Sequence, residues 1–200
     1  MDSALAQVLD RSRAVGFLGP GPVEDHIGHA GRFGRAIGSA ECRFADIGAG
    51  GGVPGLPMLI AAPGLSAVLI DASRKRCSFL VWAIAELGLA ARAEVWCGRA
   101  EQIGREARAR QAFDAVVARG FGPPAVTLEC GAPLLKDGGR LVVSEPPVAR
   151  RWPVEAVASI GLRQIDAEPG VAVFERVGQL PPSLPRSTKQ LKRSPLFVIS

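Results

Sequence analysis

Residues 45–57 read ADIGAGGGVPGLP, with five glycines and two prolines in thirteen positions. Leading into the stretch is a strand-like run, Cys42-Arg43-Phe44-Ala45. The stretch is too rich in glycine for a regular element and too evenly spaced for a linker. Glycines let a backbone take positive φ and come close to a ligand. The stretch therefore reads as a turn that holds something at the end of a strand.

The flanking sequence alternates between helical and apolar strand-like segments. Residues 2–14 and 22–37 are expected to be helical, separated by the breaker Gly19-Pro20-Gly21-Pro22. A strand over 42–47, the glycine turn and a short helix near 55–61 follow. AVLID (67–71) is a β-type run ending in an acid, and Ser73 then offers an N-cap for a helix from 74 to about 87, closed by Gly88. AEVWC (93–97), FDAVVA (113–118) and RLVVSE (140–145) read as further strands. Residues 124–135 look helical, stopped by Lys136-Asp137-Gly138-Gly139. LRQIDAE and VAVFERV, separated by Pro169-Gly170, read as a closing hairpin that places one antiparallel strand at the sheet edge. Such alternation predicts an α/β fold, a mostly parallel sheet with helices on both faces.

Composition bounds the rest. Two hundred residues, 48% hydrophobic and 22% charged, suit one globular α/β domain. No apolar run approaches the ~18 residues of a membrane span, so no membrane partner is expected. The N-terminus has no secretory pattern, and a cytoplasmic location is expected. Cys42, Cys77, Cys97 and Cys130 are widely spaced without a CxxC pair, which offers neither a metal site nor a disulfide framework. The net charge of +5 is localised: residues 176–200 carry Arg176, Arg186, Lys189, Lys192 and Arg193 and no acid, so the preceding 175 residues balance to zero. This tail reads either as a solvated, loosely ordered end or as an arm that contacts phosphates without reading bases.

Two fingerprints overlap in the glycine stretch. From Gly50 to Gly55 it satisfies GxGxxG, the dinucleotide signature. From Asp46 it satisfies acid-x-Gly-x-Gly-x-Gly through Gly48, Gly50 and Gly52, the pattern of S-adenosylmethionine (AdoMet) enzymes. A dinucleotide brings a pyrophosphate, which favours a helix N-terminus free of carboxylates. AdoMet brings an ammonium and a sulfonium, which suit Asp46. Asp71, ending the second strand, could take two ribose hydroxyls through its two oxygens, an arrangement that suits either cofactor.

The stretch DIGAGGGVPGLP is similar to the AdoMet loop of the bacterial small-subunit ribosomal RNA guanine-N7 methyltransferases, the RsmG or GidB-like family. The likeness continues in order through LIDASRKRCSFL, GRAE (98–101), FDAVVARGFGP (113–123) and PLLKDGGRLV (133–142). The tail PRSTKQLKRSPL resembles the family's PR…KKPL ending, and His26-Ile27 resembles a pair in its N-terminal helices. The resemblance implies a class I, Rossmann-like AdoMet-dependent methyltransferase with a mostly parallel seven-stranded sheet. It divides the chain into an N-terminal helical lobe (1–40), the AdoMet-binding domain (41–178) and a basic tail (179–200). It implies AdoMet as cofactor and small-subunit ribosomal RNA or the 30S subunit as partner. By position, Gly48 and Val53 would line the AdoMet site, Ala100 and Glu101 would lie beside the adenine, and Arg119 would sit where methyl donor and target base meet. Each also has a plainer role: Val53 as core, Glu101 as a first-turn acid, Arg119 as a surface charge.

The chemistry agrees with what is missing. After the fourth strand, where amine methyltransferases commonly carry (D/N)PP(Y/F), the chain reads ARGFGP. No cysteine follows a proline, as carbon-5 pyrimidine methylation would want. Guanine N7 already presents a free lone pair, so its methylation is a direct displacement without a general base, governed by alignment. Arg119 is accordingly expected to position. The chain also departs from the resemblance. Residues 26–30 read His-Ile-Gly-His-Ala where the family carries Asp-Ser after the His-Ile pair. The fifth strand ends in Ser144-Glu145-Pro146 where Leu-Lys-Gly is common, replacing a lysine by a glutamate. These departures leave open a same-fold methyltransferase with another RNA or small-molecule substrate, or a non-catalytic AdoMet- or RNA-binding protein.

Overall fold

The computed structural model describes residues 3–146 and 152–198; the expected helix start at residue 2 and the tail's last residues, 199–200, lie outside them. Two helices open the chain, α1 (Ser3–Ala14) and α2 (Val23–Ala36). Then come β1 (Cys42–Ile47), α3 (Gly55–Ala61), β2 (Leu65–Asp71), α4 (Arg74–Glu86), β3 (Ala93–Cys97), α5 (Ala100–Ile103), β4 (Phe113–Ala118) and α6 (Pro124–Gly131). A single 3-10 turn, Ala132–Leu134, leads into β5 (Leu135–Ser144), followed by α7 (Val154–Ala158), β6 (Leu162–Ile165), β7 (Val171–Arg176) and α8 (Thr188–Arg193).

The seven strands form one sheet in the order β3-β2-β1-β4-β5-β7-β6. Strands β1 to β5 pair in parallel, while β7 runs antiparallel to both β5 and β6. The antiparallel strand is therefore not at the edge, as the hairpin pattern suggested. It is inserted one place in, and β6 takes the edge. The strand order reverses between β1 and β4, which opens a crevice above their carboxyl ends.

Side chains alternate between two cores. Phe44, Ala67, Leu69, Ala115, Val117 and Val142 pack with α1 to α4 on one face. Ala45, Val68, Ile70, Val116, Ala118 and Val143 pack with α5 to α7 on the other. This period-two division follows from the pleat. It also decides where the polar residues at the strand ends fall.

Two sequence expectations need correction. Residues 135–139 belong to β5 rather than to a helix end and a stop signal. Gly138 takes φ +71, and the pairing of β5 with β4 shifts register between Phe113 and Ala115. Lys136-Asp137-Gly138-Gly139 is thus an irregular stretch within the strand, held by tertiary pairing that local sequence does not announce. The tail is not a loosely ordered end. Leu184 and Leu191 are buried in the second core, and α8 begins with a capping box between Ser187 and Gln190. Of the cysteines, Cys77 and Cys130 are buried, Cys42 is half-buried and Cys97 is exposed.

Candidate active site

The glycine turn is shaped from within. Gly48 and Ala49 donate to the Ile70 carbonyl at 2.8 and 3.0 Å, tying the turn to the end of β2. Gly48, Gly50 and Gly52 take φ of +72, +55 and +94, a region that side chains rarely adopt. A Cβ on Gly48 would stand 2.7 Å from the Phe121 ring. One on Gly51 would meet Ser12 Oγ at 2.2 Å and the Phe17 carbonyl oxygen at 2.7 Å. The turn is pressed between α1 on one side and the loop after β4 on the other. Ser12, fully buried, donates to the Gly51 carbonyl at 3.0 Å.

Beside this turn lies a cavity of about 750 Å³, at the carboxyl ends of β1 to β4. Gly48, Asp71, Ala100 and Glu101 line it, together with Phe121 and Arg99. Asp71 accepts from the Ser73 amide at 2.8 Å through Oδ1 and from the Gly50 amide at 3.0 Å through Oδ2. Each oxygen keeps a second lone pair for a ligand hydroxyl. Ala100 is the first residue of α5, so its amide has no partner within the helix. Glu101 accepts from Arg99 Nε at 2.6 Å and from the Thr188 hydroxyl. Burial raises the Glu101 carboxyl, but these bonds outweigh it and hold the group below its ordinary value.

Asp46, Gly50, Gly52, Val53 and Arg119 are not in the cavity lining. Alternation explains the two charged groups: Asp46 shares its face with Phe44, and Arg119 continues the face of Val117, both toward α1 to α4. Asp46 is fully buried, accepts from the Gly55 amide at 2.9 Å through Oδ2, and leaves Oδ1 without a partner. Burial pushes its carboxyl up to about 7, Asp71 adds to the rise, and the Gly55 bond and Arg119 oppose it. This carboxylate sits on the N-terminus of α3, the position a dinucleotide's pyrophosphate would need. The chain's own charge therefore disfavours the dinucleotide reading of GxGxxG. An orphaned carboxylate oxygen beneath the turn suits a cationic ligand group instead. Val53 belongs to the core, 6% exposed.

Arg119 donates to His26 Nδ1 at 2.6 Å. A guanidinium only donates, so Nδ1 accepts and Nε2 carries the proton, directed at the Gly19 carbonyl 3.2 Å away. His26 is thus the neutral tautomer, bridging the loop before α2 to the end of β4. Burial lowers the Arg119 guanidinium from its ordinary value, and Asp46 opposes that shift.

Sequence reasoning missed the tail as a wall of the cavity. Thr188, Leu191, Lys192, Pro195 and Phe197 line its side opposite the sheet. The anchor is Arg186, whose amide, Nε and Nη2 reach Glu129 at 3.0, 2.7 and 2.6 Å; Glu129 is fully buried in α6. The one available signal was Pro185-Arg186 in step with the resembled ending; its partner 57 residues away is invisible in local sequence. Arg186 is consequently withdrawn from any phosphate-contacting role, as is Arg176, paired with Asp137 and the Leu135 carbonyl. Among the described residues no group of three or more His, Cys, Asp or Glu could hold a metal, and no helix is long and apolar enough to cross a membrane.

Comparison with solved structures places this geometry in a known fold. The chain is similar to cofactor-bound Rv0187 from MTB, with 20% identity, TM-score 0.62, and 90% and 92% of the two chains covered. It is also similar to a SAM-dependent methyltransferase from Thiobacillus denitrificans in complex with S-adenosyl-L-homocysteine, with 21% identity, TM-score 0.53, and 77% and 61% covered. These likenesses establish the Rossmann-like class I methyltransferase fold. In sequence, the ribosomal RNA small subunit methyltransferase G of a Thermoanaerobacter species is 34% identical over 169 residues, 78% of this chain and 70% of that protein. The protein of the same name from Sorangium cellulosum is 40% identical over 123 residues, 62% of this chain and 51% of that one. The family model described as rRNA small subunit methyltransferase G, GidB, matches residues 23–145, and the chain belongs to that family.

Proposed function

We propose that this chain transfers a methyl group from AdoMet to N7 of a guanine in small-subunit ribosomal RNA, in the cytoplasm. The observation that carries the reading is the cavity at the switch point, lined together by Gly48, Asp71 and Ala100. AdoMet, when bound, supplies an electrophilic methyl group. Asp71 would hold the ribose hydroxyls, and the Ala100 amide would meet the adenine edge. The ionised Asp46 would favour the ammonium through the field beneath the turn. Phe121 limits the space over Gly48, and the docked tail excludes water from the far side.

Guanine N7 brings its own lone pair, so no side chain has to remove a proton. What the chain must supply is alignment. Arg119, held by neutral His26 and near Asp46, is the group assigned to positioning. Arg119→Ala is expected to keep AdoMet binding and lose turnover; wild-type turnover would remove it from that role.

The reading is tested by titration calorimetry with AdoMet, S-adenosylhomocysteine and NAD, followed by radiolabelled methyl transfer to 30S subunits and to naked 16S RNA. Micromolar AdoMet binding without an NAD response, and 7-methylguanine in the RNA digest, are expected. Failure to bind AdoMet or its product would overturn the cofactor assignment. Binding without transfer to either RNA would overturn the substrate.

A further inference from the structure

A second, smaller cavity of about 170 Å³ lies at the carboxyl ends of β4 and β5, lined by Phe121, Gly122, Thr127, Ser144, Glu145 and Pro146. Phe121, Gly122 and Pro124 belong to its wall and to that of the large cavity alike, so the two spaces adjoin across one short loop. Glu145 is held firmly there. Its amide donates to the Gly170 carbonyl at 2.9 Å, and its Oε1 accepts from Trp152 Nε1 at 2.6 Å. Trp152 is itself fixed, 5% exposed and edge-on to Phe174 with ring centroids 4.8 Å apart. Among the described residues Oε2 has no hydrogen-bond partner and Glu145 has no cationic partner.

A carboxylate fixed in a cavity wall, with no cation beside it among the described residues, is an acceptor open to donors. It repels phosphate, so this small space does not suit a nucleic-acid backbone. A base turned out of its helix presents its Watson–Crick edge and a face for stacking. Guanine has two adjacent donors on that edge, N1–H and the 2-amino group. Adenine has one donor beside an acceptor, and inosine lacks the 2-amino group.

We propose that Glu145 is the residue that selects the target base, its carboxylate accepting from guanine N1–H and the 2-amino group in the cavity beside Phe121. The assignment rests on the guanine-N7 reading above. It gives the lysine-to-glutamate departure at this position a purpose. Guanine N7 lies in the five-membered ring, away from the edge that carries N1 and the 2-amino group, so a base gripped by Glu145 turns N7 away from that wall, toward the larger cavity. As the N7 lone pair takes the methyl group, the carbon–sulfur bond breaks with its electrons left on sulfur, and the positive charge passes to the purine ring. No proton moves. The N1–H donor becomes more acidic as that charge develops, and its bond to a carboxylate strengthens. Glu145 thus binds the transition state more tightly than the substrate.

The test compares wild type with Glu145→Gln and Glu145→Lys in two assays. Saturation-transfer NMR of guanosine, inosine and adenosine, with the protein saturated in S-adenosylhomocysteine, reads base selection without ribosomal RNA. Wild type is expected to favour guanosine over inosine and adenosine, and both variants are expected to lose that preference. Methyl transfer to 30S subunits reads the reaction. There kcat/KM is expected to fall roughly tenfold or more in Glu145→Gln, chiefly in kcat, with affinity for S-adenosylhomocysteine unchanged. A Glu145→Gln protein with wild-type guanosine preference and wild-type kcat/KM overturns the proposal. Guanosine selection that depends on Glu145, in a wild-type protein inactive on 30S subunits, supports it while overturning the ribosomal substrate.

Discussion

Removing Arg186 should do more harm than removing any other cation of the tail. Glu129 is fully buried, and Arg186 meets both of its oxygens at 2.7 and 2.6 Å. Arg186→Met would leave that carboxylate without its cation. Breaking a buried pair by deleting one partner costs about 3–5 kcal/mol, because an uncompensated charge stays in the interior. For a chain of this length 1 kcal/mol moves the midpoint by about 2–4 °C, so Tm should fall by roughly 6–20 °C. Because the Glu129 carboxylate is fully buried, salt should screen the loss only in part. A functional effect follows from the same contact: Arg186 precedes Ser187, the N-cap of α8, whose Thr188, Leu191 and Lys192 line the large cavity. Calorimetry should therefore show weakened AdoMet binding. The control is the double variant Glu129→Gln, Arg186→Met, which removes both charges and should recover much of the stability. Arg186→Met within about 1 kcal/mol of wild type in urea unfolding would refute the reasoning, as would a double variant no more stable than the single one.

Three further outcomes are expected. The Asp46 carboxyl is pushed up to about 7 by burial, against an ordinary value of about 4. Between those values the folded protein holds a proton that the unfolded chain has lost. Its stabilising contribution is therefore present below pH ~4 and is lost as pH rises through about 7. Urea unfolding should show that slope in wild type and not in Asp46→Asn. The ionised form suits a cationic ligand, so affinity for S-adenosylhomocysteine should rise from pH ~5.5 to ~7.5 in wild type alone, and equal affinities would contradict the assignment. Gly51→Ala, whose Cβ would collide with Ser12 Oγ and the Phe17 backbone, should cost about 1–3 kcal/mol and weaken cofactor binding; an unchanged Tm would show that the turn can yield. His26→Ala frees the Arg119 guanidinium and should lower methyl transfer roughly tenfold or more with AdoMet affinity preserved, whereas unaltered turnover would separate His26 from the reaction.

The sequence made some parts of this molecule legible and hid others, for identifiable reasons. β1 and α3 have the expected bounds because a short strand-like run and a glycine turn directly after it leave no competing local solution. Asp71 and its helix cap Ser73 were visible because capping is decided within four residues. The start of β5 was hidden because Lys136-Asp137-Gly138-Gly139 carries every local mark of a stop. Pairing with β4 overrides those marks. Glu129 was hidden in a different way: an acid in a helix ordinarily faces solvent, and only the arrival of Arg186 from the far end of the chain makes its burial possible. The tail's excess of positive charge likewise pointed outward, when Arg176 is buried against the Leu135 carbonyl and Arg186 reaches the buried Glu129 carboxylate.

The same pleat that organises the core divides the work of the site. Residues of even parity in β1, and of odd parity after β4, send Asp46 and Arg119 toward the helices of the N-terminal half, where Asp46 takes the Gly55 amide of α3 and Arg119 meets His26 of α2. The turn itself, with Asp71 and the start of α5, faces the cavity that the tail closes. The cavity thus depends on both ends of the chain. Ser12 and Phe17 hold the turn from one side, and Arg186 brings α8 against the other. Neither end needs to touch a reacting atom to matter. Moving the turn shifts the one place where Gly48 permits close approach, and releasing α8 opens the cavity to water, which weakens every charge–dipole contact within it. Methyl transfer to a lone pair asks for no acid or base, so the chain's length is spent on holding two cavities in register. Glu145 stands at the far wall of the second, and Phe121 forms the partition between them.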